Sequence, residues 1–419
     1  MKLAIVVQRY GKELIGGAES LARIIAHKLA ENPNWQIDVY TSTAKDYQTW
    51  KNYFSKGISF DGKVRILRFQ TCFPRFHYLF AFYKRLVSFP LKMISTSKKC
   101  PYFIKKIGYL LESFWFILQG PYCPSLIKQL INNKHEYHKV FFFTYLYYPS
   151  VFGIPPLGKK AVFVPTAHDE TPLYFSRVKE NFLQASYLLV NSEKERELVK
   201  SLSPQLGSKM SVAGIGLDQT LSKISPRPHL TNDKPYILFM GRMGKGKEVD
   251  VLIEYYLSWY QKHQKEELML FLAGPLENNL SIPKHHGIRY LGVVSEEKKL
   301  DLLTNAFAIV NPSPHESLSM LVLEGIIARK PVILNGKDPV LNSYAELMSS
   351  VFSYHGKDEF INHLEYLNSR NWHKIRIESL NQSERWVNKN YSWKKIMDVY
   401  HHTVNMLPQE NTLLQPHSN

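Results

Sequence analysis

Short apolar runs alternate along the chain with longer segments in which apolar residues recur every three or four positions. The short runs predict buried strands, and the longer segments predict helices that pack through one face. In the N-terminal half the predicted strands are KLAIVVQ, WQIDVYTS, VRILRF, KVFFFTYLYY, KKAVFVPTAH and SYLLVNS. In the C-terminal half they are YILFMGR, LMLFLAG, GIRYLG, AFAIVNPS and PVILNG.

Predicted helices separate many of these strands. One runs from about Glu19 to Ala30, another is SEKERELVKSL, and others start at Val249, Ser295 and Ser319. Alternation of this kind is typical of parallel, doubly wound sheets. Because both halves begin with a strand that leads into a glycine-containing turn, we predict an α/β chain with two Rossmann-like domains that face a cleft.

The chain length of 419 residues favours two domains of roughly 200 residues each. The polar segment 218–234 contains prolines and shows no periodicity, so we interpret it as the linker. This places an N-terminal domain at 1–217 and a C-terminal domain at 235–383. We expect the polar tail 407–419 to be disordered.

The net charge of +17 is concentrated in one segment, residues 71–135. This basic aromatic segment holds ten Lys or Arg against one acid, Glu112, which amounts to +9. The mixture of lysines, rings and aliphatic residues suits an anionic membrane surface. A nucleic-acid groove uses similar residues, and so do ordinary amphipathic helices with solvated basic faces. We expect the membrane surface to be the partner, and no nucleic acid.

No apolar run approaches the roughly 18 residues of a membrane-spanning helix, and the first strand is too short for a secretory signal. We therefore expect a cytoplasmic protein that associates peripherally with the inner face of the cytoplasmic membrane. The three cysteines, Cys72, Cys100 and Cys123, show neither a CxxC motif nor ligand spacing. We expect reduced thiols, without disulfides or a zinc site.

Candidate chemistry centres on the stretch from Asn311 to Pro331, in which a strand, a polar loop and a helix follow one another. Glu316 lies in the loop, the helix starts near Ser319, and Glu324 lies inside the helix. The N–H groups and the dipole at a helix start stabilise an anion such as a diphosphate. Since carboxylates bind hydroxyl groups, this arrangement predicts a nucleotide-sugar pocket.

Two cations follow the first strand of the C-terminal half. Arg242 leaves the carboxyl end of YILFM, where ligands bind in open α/β sheets, and Lys247 follows five residues later. Both side chains would bind the diphosphate and stabilise the charge that develops on it as the sugar leaves. Because the chain contains no Asp-x-Asp motif, a mechanism without a divalent metal fits best.

Two further candidates lie in the N-terminal half. Gly16 and Gly17 precede a helix, and their amides can approach a phosphate without interference from a side chain. His168 follows the strand AVFVPTA at its carboxyl end. From there it could donate a hydrogen bond to a sugar hydroxyl or steady positive charge at the reacting carbon. The neighbouring Asp169 and Glu170 have no role that the sequence assigns.

Several of these motifs together resemble one family. PSPHESLSMLVLEGIIARKPVI closely resembles the E-x7-E segment of GT4-type retaining glycosyltransferases, the glycosyl transferases group 1, which have the two-domain GT-B fold. The resemblance implies that Glu316 meets the donor sugar and that Glu324 binds the ribose. It also implies that the amides of Ser317, Leu318 and Ser319 meet the diphosphate.

Other segments extend the resemblance. GRMGKGK matches the family's G-R-x4-K, which implies a leaving-group role for Arg242 and Lys247, although Lys245 with Gly246 is an alternative pair. GGAE resembles the loop that closes over the donor, and PTAHDE resembles the segment with the active-site histidine, His168. Val293 completes the expected donor-binding set. Glu248 and Arg329 stand where the family usually has glycine.

QGPY and FFTYLYYP resemble a bacterial branch that builds surface polysaccharide or lipopolysaccharide. The implied function is a retaining, metal-independent hexosyltransferase (EC 2.4) that moves a sugar from a nucleotide-sugar donor to a lipid-linked or polysaccharide acceptor, without a cofactor. Residues 384–406 resemble the family's closing helices, which cross back to the N-terminal domain. The alternatives are a basic nucleic-acid- or membrane-binding protein without catalysis, and a GT-B sugar-nucleotide epimerase.

Overall fold

The computed structural model describes most of the chain, namely residues 1–14, 16–97, 99–217, 234–263, 268–277 and 280–406. The predicted tail 407–419 and the predicted linker, apart from its last residue, lie outside these ranges. The described part forms two sheets with helices on both faces. In the described ranges, no helix is long and apolar enough to cross a membrane.

The N-terminal sheet has eight strands in the order β3-β4-β2-β1-β5-β6-β7-β8. All neighbouring pairs are parallel except β3 and β4, which form an antiparallel hairpin at one edge. The strands are β1 (Lys2–Val6), β2 (Gln36–Ser42), β3 (Gly57–Asp61), β4 (Val64–Phe69), β5 (Lys139–Phe143), β6 (Ala161–Val164), β7 (Tyr187–Val190) and β8 (Met210–Val212).

The C-terminal sheet has six strands, all parallel, in the order β11-β10-β9-β12-β13-β14. They are β9 (Tyr236–Met240), β10 (Met269–Ala273), β11 (Ile288–Tyr290), β12 (Ala308–Asn311), β13 (Val332–Asn335) and β14 (Val351–Tyr354). Both sheets are the doubly wound type that the alternation of strands and helices predicts, so the predicted fold class is confirmed.

Helices cover both faces of each sheet, which is why most of the strands read as apolar runs. In the N-terminal half they are α1 (Gly17–Leu29), α2 (His77–Thr96), α3 (Tyr102–Gln119), α4 (Pro124–Asn132), α5 (Tyr148–Leu157), α6 (Ser176–Gln184) and α7 (Glu193–Leu202). In the C-terminal half they are α8 (Val249–Lys262), α9 (Glu296–Asn305), α10 (Met320–Ile327), α11 (Pro339–Leu347), α12 (Lys357–Leu367), α13 (Arg370–Asn390) and α14 (Trp393–Asn405).

One predicted strand is too long. The run KVFFFTYLYY is mostly apolar, yet β5 ends at Phe143 and α5 begins at Tyr148. Thr144 turns the chain with a φ of 64°. Pro149 then lies in the first turn of α5, where its fixed φ suits a helix start. The strand β3 was not predicted, because its side chains are mostly exposed and its sequence, GISFD, is not an apolar run.

The last helix, α14, packs against the N-terminal sheet. The ring of Tyr400 lies 5.8 Å from that of Phe141 on β5, and His138 Nε2 lies 2.8 Å from the carbonyl oxygen of Val404. Gly216 lies so close to Trp393 that a Cβ there would fall 2.3 Å from the indole. The C-terminal end of the described chain is therefore in contact with the first domain.

The two positions at which the sequence departs from the expected glycine both have a left-handed backbone. Glu248 has a φ of 51° and Arg329 has a φ of 54°. Arg329 follows α10, where its N–H donates to the Ile326 carbonyl and the Lys330 N–H donates to the Gly325 carbonyl. This pair of bonds is a Schellman motif, which glycine normally completes. The backbone at both positions has a conformation that favours glycine, although each residue carries a side chain.

This strain gives a stability prediction. Because a Cβ is unfavourable in the left-handed region, Arg329→Gly should be more stable than Arg329→Ala by about 1 kcal/mol. Both variants lose the bond from Arg329 Nε to Glu384, so their difference isolates the backbone. Urea denaturation of the two variants measures it. Lys298, an exposed residue inside α9, is the control, because alanine should be the more stable replacement there. Equal stability of the two Arg329 variants would contradict the argument.

Candidate active site in the interdomain cleft

The turn that follows β9 is tied to the loop that follows β10. The Gly241 N–H donates to the Ala273 carbonyl, and the Met243 N–H donates to the Pro275 carbonyl. The Glu277 N–H returns a bond to the Met243 carbonyl at 2.8 Å. A Cβ on Gly244 would lie 2.1 Å from Glu277 Oε2, so a larger residue there would displace the Glu277 side chain. The turn that carries Arg242 and Lys247 is therefore held in one shape.

Lys247 points into the cleft and pairs with Glu316. Its Nζ lies 2.7 Å from Glu316 Oε1 and 3.1 Å from Ser313 Oγ. Burial opposes the charge of Glu316, but Lys247 outweighs it and holds the pKa of that carboxyl below its ordinary value. The alternative cation, Lys245, is exposed. The structure thus places Lys247, and not Lys245, beside the predicted sugar-binding carboxylate.

The loop before α10 leaves backbone donors free. In the described part of the chain, the N–H groups of Ser317, Leu318 and Ser319 donate no hydrogen bond. Asn311 Nδ2 donates to Ser319 Oγ at 2.7 Å, and Ser319 has a φ of 64°. The Leu318 carbonyl accepts a bond from Tyr344 at 2.7 Å. Side chains and carbonyls thus fix the loop, while its amides remain available for an anion.

Asp338 supports the same loop, and sequence reasoning missed it. Its Oδ2 accepts the Glu316 N–H at 2.8 Å, and its Oδ1 accepts the Leu341 N–H at 2.8 Å, which caps α11. Burial raises the pKa of Asp338. The only sequence signal was Asp-Pro, a common helix start.

Glu324 lies on α10 and faces α9. Its Oε1 is 2.8 Å from Lys299 Nζ, which also lies 3.3 Å from Glu296. Burial raises the pKa of Glu324, and Lys299 offsets part of that effect. Gly325 lets α10 approach β12, because a Cβ there would lie 2.7 Å from Ile309 Cγ1. No bond in the described chain joins Glu324 to Glu316 or Lys247.

The N-terminal domain contributes the turn after β1. Glu19 Oε1 accepts bonds from Gln8 Nε2 at 2.9 Å and from Arg9 Nε at 3.0 Å. A Cβ on Gly16 would lie 2.2 Å from Glu19 Oε2, so the motif GGAE packs its own carboxylate against its first glycine. Gly17, the first residue of α1, has no heavy atom within 4 Å of its Cβ position and therefore offers open space.

His168 lies in the loop after β6 and meets the C-terminal domain across the cleft. Its ring stacks on that of His315 at 5.8 Å, and its Nε2 is 3.0 Å from Glu170 Oε1. Burial disfavours the imidazolium, but Glu170 outweighs burial and raises the pKa of His168. Glu170 also accepts a bond from Tyr145. The structure thus gives Glu170 a partner, while Asp169 accepts a bond from Tyr174 at 2.7 Å.

A buried carboxylate lies behind this loop. Glu195 of α7 accepts the N–H groups of Ala167 and of Asn191, the latter at 2.6 Å. Burial raises the pKa of Glu195 to about 8. Asn191 Nδ2 in turn lies 3.3 Å from Ser317 Oγ in the other domain. The sequence shows Glu195 only as the third residue after a helix cap, so its role was not predicted.

Arg242 and Val293 complete the predicted residues. The guanidinium of Arg242 lies over the ring of Tyr47, 4.7 Å from its centroid. Val293 follows β11 and is 61% exposed, and no contact joins it to the Lys247 group within the described ranges.

No group of three or more His, Cys, Asp or Glu side chains placed to hold a metal ion occurs among the described residues.

The ion pair of His168 gives a pH prediction. Replacement of Glu170 by Gln should lower the pKa of His168, because it removes the negative charge that opposes the effect of burial. The raised pKa contributes stability fully below the ordinary value of about 6.5, and this is lost as pH rises through the raised value. Glu170→Gln should therefore destabilise by roughly 1 kcal/mol more at pH 6 than at pH 9, as measured by urea unfolding. Asp169→Asn is the control, and an equal loss at both pH values would refute the assignment.

Comparison with known proteins gives one family match. Residues 222–365, less than half of the chain, match the family model described as Glycosyl transferases group 1. This range contains Arg242, Lys247, Glu316 and Glu324. No curated protein sequence matches the chain.

Solved structures match almost the whole chain at low identity. HepE of Anabaena in complex with UDP and glucose has a TM-score of 0.62 and 14% identity, over 97% of this chain and 100% of that one. Sucrose-phosphate synthase of Thermosynechococcus elongatus has a TM-score of 0.63 and 14% identity, over 96% and 98%. The lipopolysaccharide outer core galactosyltransferase WaaB has a TM-score of 0.56 and 13% identity, over 96% and 99%. These likenesses show the GT-B fold, and with the match of residues 222–365 they support the glycosyl transferases group 1 family.

Proposed function

We propose that the protein is a retaining, metal-independent glycosyltransferase, which moves a sugar from a nucleotide-sugar donor to a lipid-linked or polysaccharide acceptor of cell-surface polysaccharide synthesis. One observation carries the proposal. Arg242, Lys247 and the free amides of residues 317–319 lie at the carboxyl ends of β9 and β12, two neighbouring strands. This is where ligands bind in open α/β sheets. The match to the family model and a similar fold in HepE, solved with UDP and glucose, support the same class.

The cations and amides suit a departing diphosphate. As the bond from the anomeric carbon to the phosphate oxygen breaks, negative charge grows on the diphosphate, and fixed donors stabilise it without reorganisation. The acceptor hydroxyl attacks the same face of the sugar, and its proton passes to the leaving phosphate oxygen. Arg242 and Lys247 supply the positive charge that a divalent metal supplies in other transferases. We therefore propose that neither a metal nor another cofactor takes part.

The carboxylates suit the donor's hydroxyl groups. Glu316 is ionised beside Lys247, so it can accept hydrogen bonds from the sugar. Glu324 lies further along α10 and would accept bonds from the ribose hydroxyls, with Lys299 holding its position. His168 faces His315 across the cleft, where it can donate to a sugar hydroxyl. Gly17 leaves room for the donor phosphates on the opposite wall.

Nucleotide binding tests this pocket. A ligand at a hundred times its dissociation constant should stabilise the wild type by about 2.7 kcal/mol. We expect one of UDP, GDP, ADP, CMP and dTDP to raise the melting temperature, and we expect Glu324→Ala to abolish that rise. Glu297→Ala removes an exposed glutamate of α9 and should leave the rise intact. If none of the five nucleotides stabilises the wild type, the donor pocket is refuted.

The helical hairpin of α2 and α3 presents a surface for an anionic membrane. One side of it packs inward through Phe80, Leu91 and Trp115, all of which are buried. The other side exposes large apolar side chains, including Tyr78 (94% exposed), Phe82 (64%), Phe89 (69%), Tyr102 and Leu110. Lys84, Arg85 and Lys106 are exposed among them. Peripheral membrane proteins typically insert aromatic rings into the membrane interface and place cations against the lipid headgroups. We therefore propose that the protein works at the inner face of the cytoplasmic membrane, on this surface.

Binding to vesicles tests the hairpin. The wild type should sediment with vesicles that contain anionic lipid and much less with neutral vesicles. Combined Phe82→Ser and Phe89→Ser should weaken binding at least ten-fold, since each buried phenyl ring contributes about 1.5–3 kcal/mol. Ile377→Ser removes an equally exposed apolar residue from α13 and should change nothing. Salt-sensitive binding to random DNA without vesicle binding would favour the nucleic-acid alternative instead.

A further inference from the structure

Tyr47 reaches from the N-terminal domain to the phosphate-binding turn of the C-terminal domain. It lies in the loop between β2 and β3. The guanidinium of Arg242 lies 4.7 Å from its ring centroid, and that of Arg9 lies 5.3 Å from it. The Tyr47 hydroxyl donates to Glu277 Oε1. The mechanism proposed above gives this residue no part.

The loop around Tyr47 is held on both sides. Before it, Arg9 Nη1 donates to the Lys45 carbonyl at 2.7 Å. After it, the Asp46 carboxylate accepts the N–H groups of Gln48 at 3.0 Å and Thr49 at 2.7 Å. These bonds fix the backbone of the loop before any ligand binds. Tyr47 is therefore presented to the other domain from a rigid support.

The receiving side is equally constrained. Glu277, which accepts the Tyr47 hydroxyl, belongs to the loop that is hydrogen bonded to the turn of Arg242, and its carboxylate packs against Gly244. The ring of Tyr47 thus contacts Arg242 while its hydroxyl contacts the loop beneath the same turn. One side chain of the first domain holds two parts of the diphosphate site in the second.

The side chains of Arg242 and Lys247 have different kinds of partner. Lys247 has a carboxylate partner, whereas the Arg242 guanidinium makes no hydrogen bond or ion pair to any described residue. Stacking on a ring face leaves the N–H groups at the edge of the guanidinium available. Two parallel N–H groups match two phosphate oxygens only when the plane is correctly oriented. The ring of Tyr47 can orient the plane of the Arg242 guanidinium and leave all of its N–H groups free to bind phosphate.

We propose that Tyr47 is a positioning residue, whose ring orients the Arg242 guanidinium for the donor's diphosphate. This inference rests on the proposed function. Because Tyr47 and Arg242 belong to different domains, the diphosphate site is complete only while the two domains touch at this point. Affinity for the diphosphate is thereby coupled to contact between the domains.

The test compares a nucleoside diphosphate with its monophosphate, since only the former spans the site of Arg242. Dissociation constants for UDP and UMP, or for the pair of whichever base the thermal-shift panel selects, are measured by calorimetry. We expect Tyr47→Ala to reduce the preference for the diphosphate about ten-fold while it leaves monophosphate binding unchanged. Tyr47→Phe keeps the ring and should lose less. Tyr53→Ala removes a tyrosine from the same loop that does not contact Arg242, and it should lose nothing.

Measuring the effect of Tyr47→Ala in the Arg242→Ala protein distinguishes a positioning role of Tyr47 from a purely structural one. If Tyr47 acts through Arg242, Tyr47→Ala should not reduce the diphosphate preference further in that background. An equal loss of monophosphate and diphosphate affinity, or an additive loss in the double variant, would overturn the assignment of Tyr47 while the proposed function stands. Failure of the wild type to bind any of the nucleotides would overturn the proposed function and this inference with it.

Discussion

The ion pair of Lys247 with Glu316 joins the two loops that form the proposed donor pocket. Lys247 follows β9 and Glu316 follows β12, and these strands are hydrogen-bonded neighbours in a parallel sheet. Their loops therefore emerge at the same edge and must accommodate each other's side chains. The Glu316 side chain is only 18% exposed, so its charge would be costly without the nearby cation of Lys247. In the function proposed above, Lys247 would offset the charge of Glu316 beside the donor's diphosphate.

Most of the site residues at this edge of the sheet were predictable from the sequence, because local patterns identify them. Apolar runs marked where β9 and β12 lie, and the positions just after them identified Arg242, Lys247 and Glu316. The contacts that hold these residues were not predictable, since they join distant parts of the chain. Tyr47 meets Glu277 across 230 residues, and neither position belongs to a periodic pattern. Glu195 likewise appears in the sequence as an ordinary helix residue, and only the fold shows that it holds the loop of His168.

The apolar pattern also failed to separate β5 from α5, because the strand and the start of the helix have a similar apolar composition. KVFFFTYLYY contains the whole of β5, a turn and the first residue of α5, and most of its side chains are buried. Periodicity cannot divide such a run, because burial on every side removes the polar positions that mark a period. The positive φ of Thr144 and the placement of Pro149 decide the boundary instead. A buried turn between a strand and a helix is thus hard to predict from periodicity alone.

Two residues with side chains, Glu248 and Arg329, adopt the left-handed backbone that favours glycine. Glu248 keeps a left-handed φ beside Lys247, and its carboxylate accepts a bond from Asn335 Nδ2 at 2.9 Å. Arg329 keeps the same conformation after α10 and binds Glu384. In each case a new side-chain contact offsets part of a strain that is of the order of 1–2 kcal/mol. If the backbone had relaxed, α8 and α10 would start or end differently, and Lys247 and Glu324 would shift with them. The strained turns therefore lie directly beside Lys247 and at the end of the helix that carries Glu324.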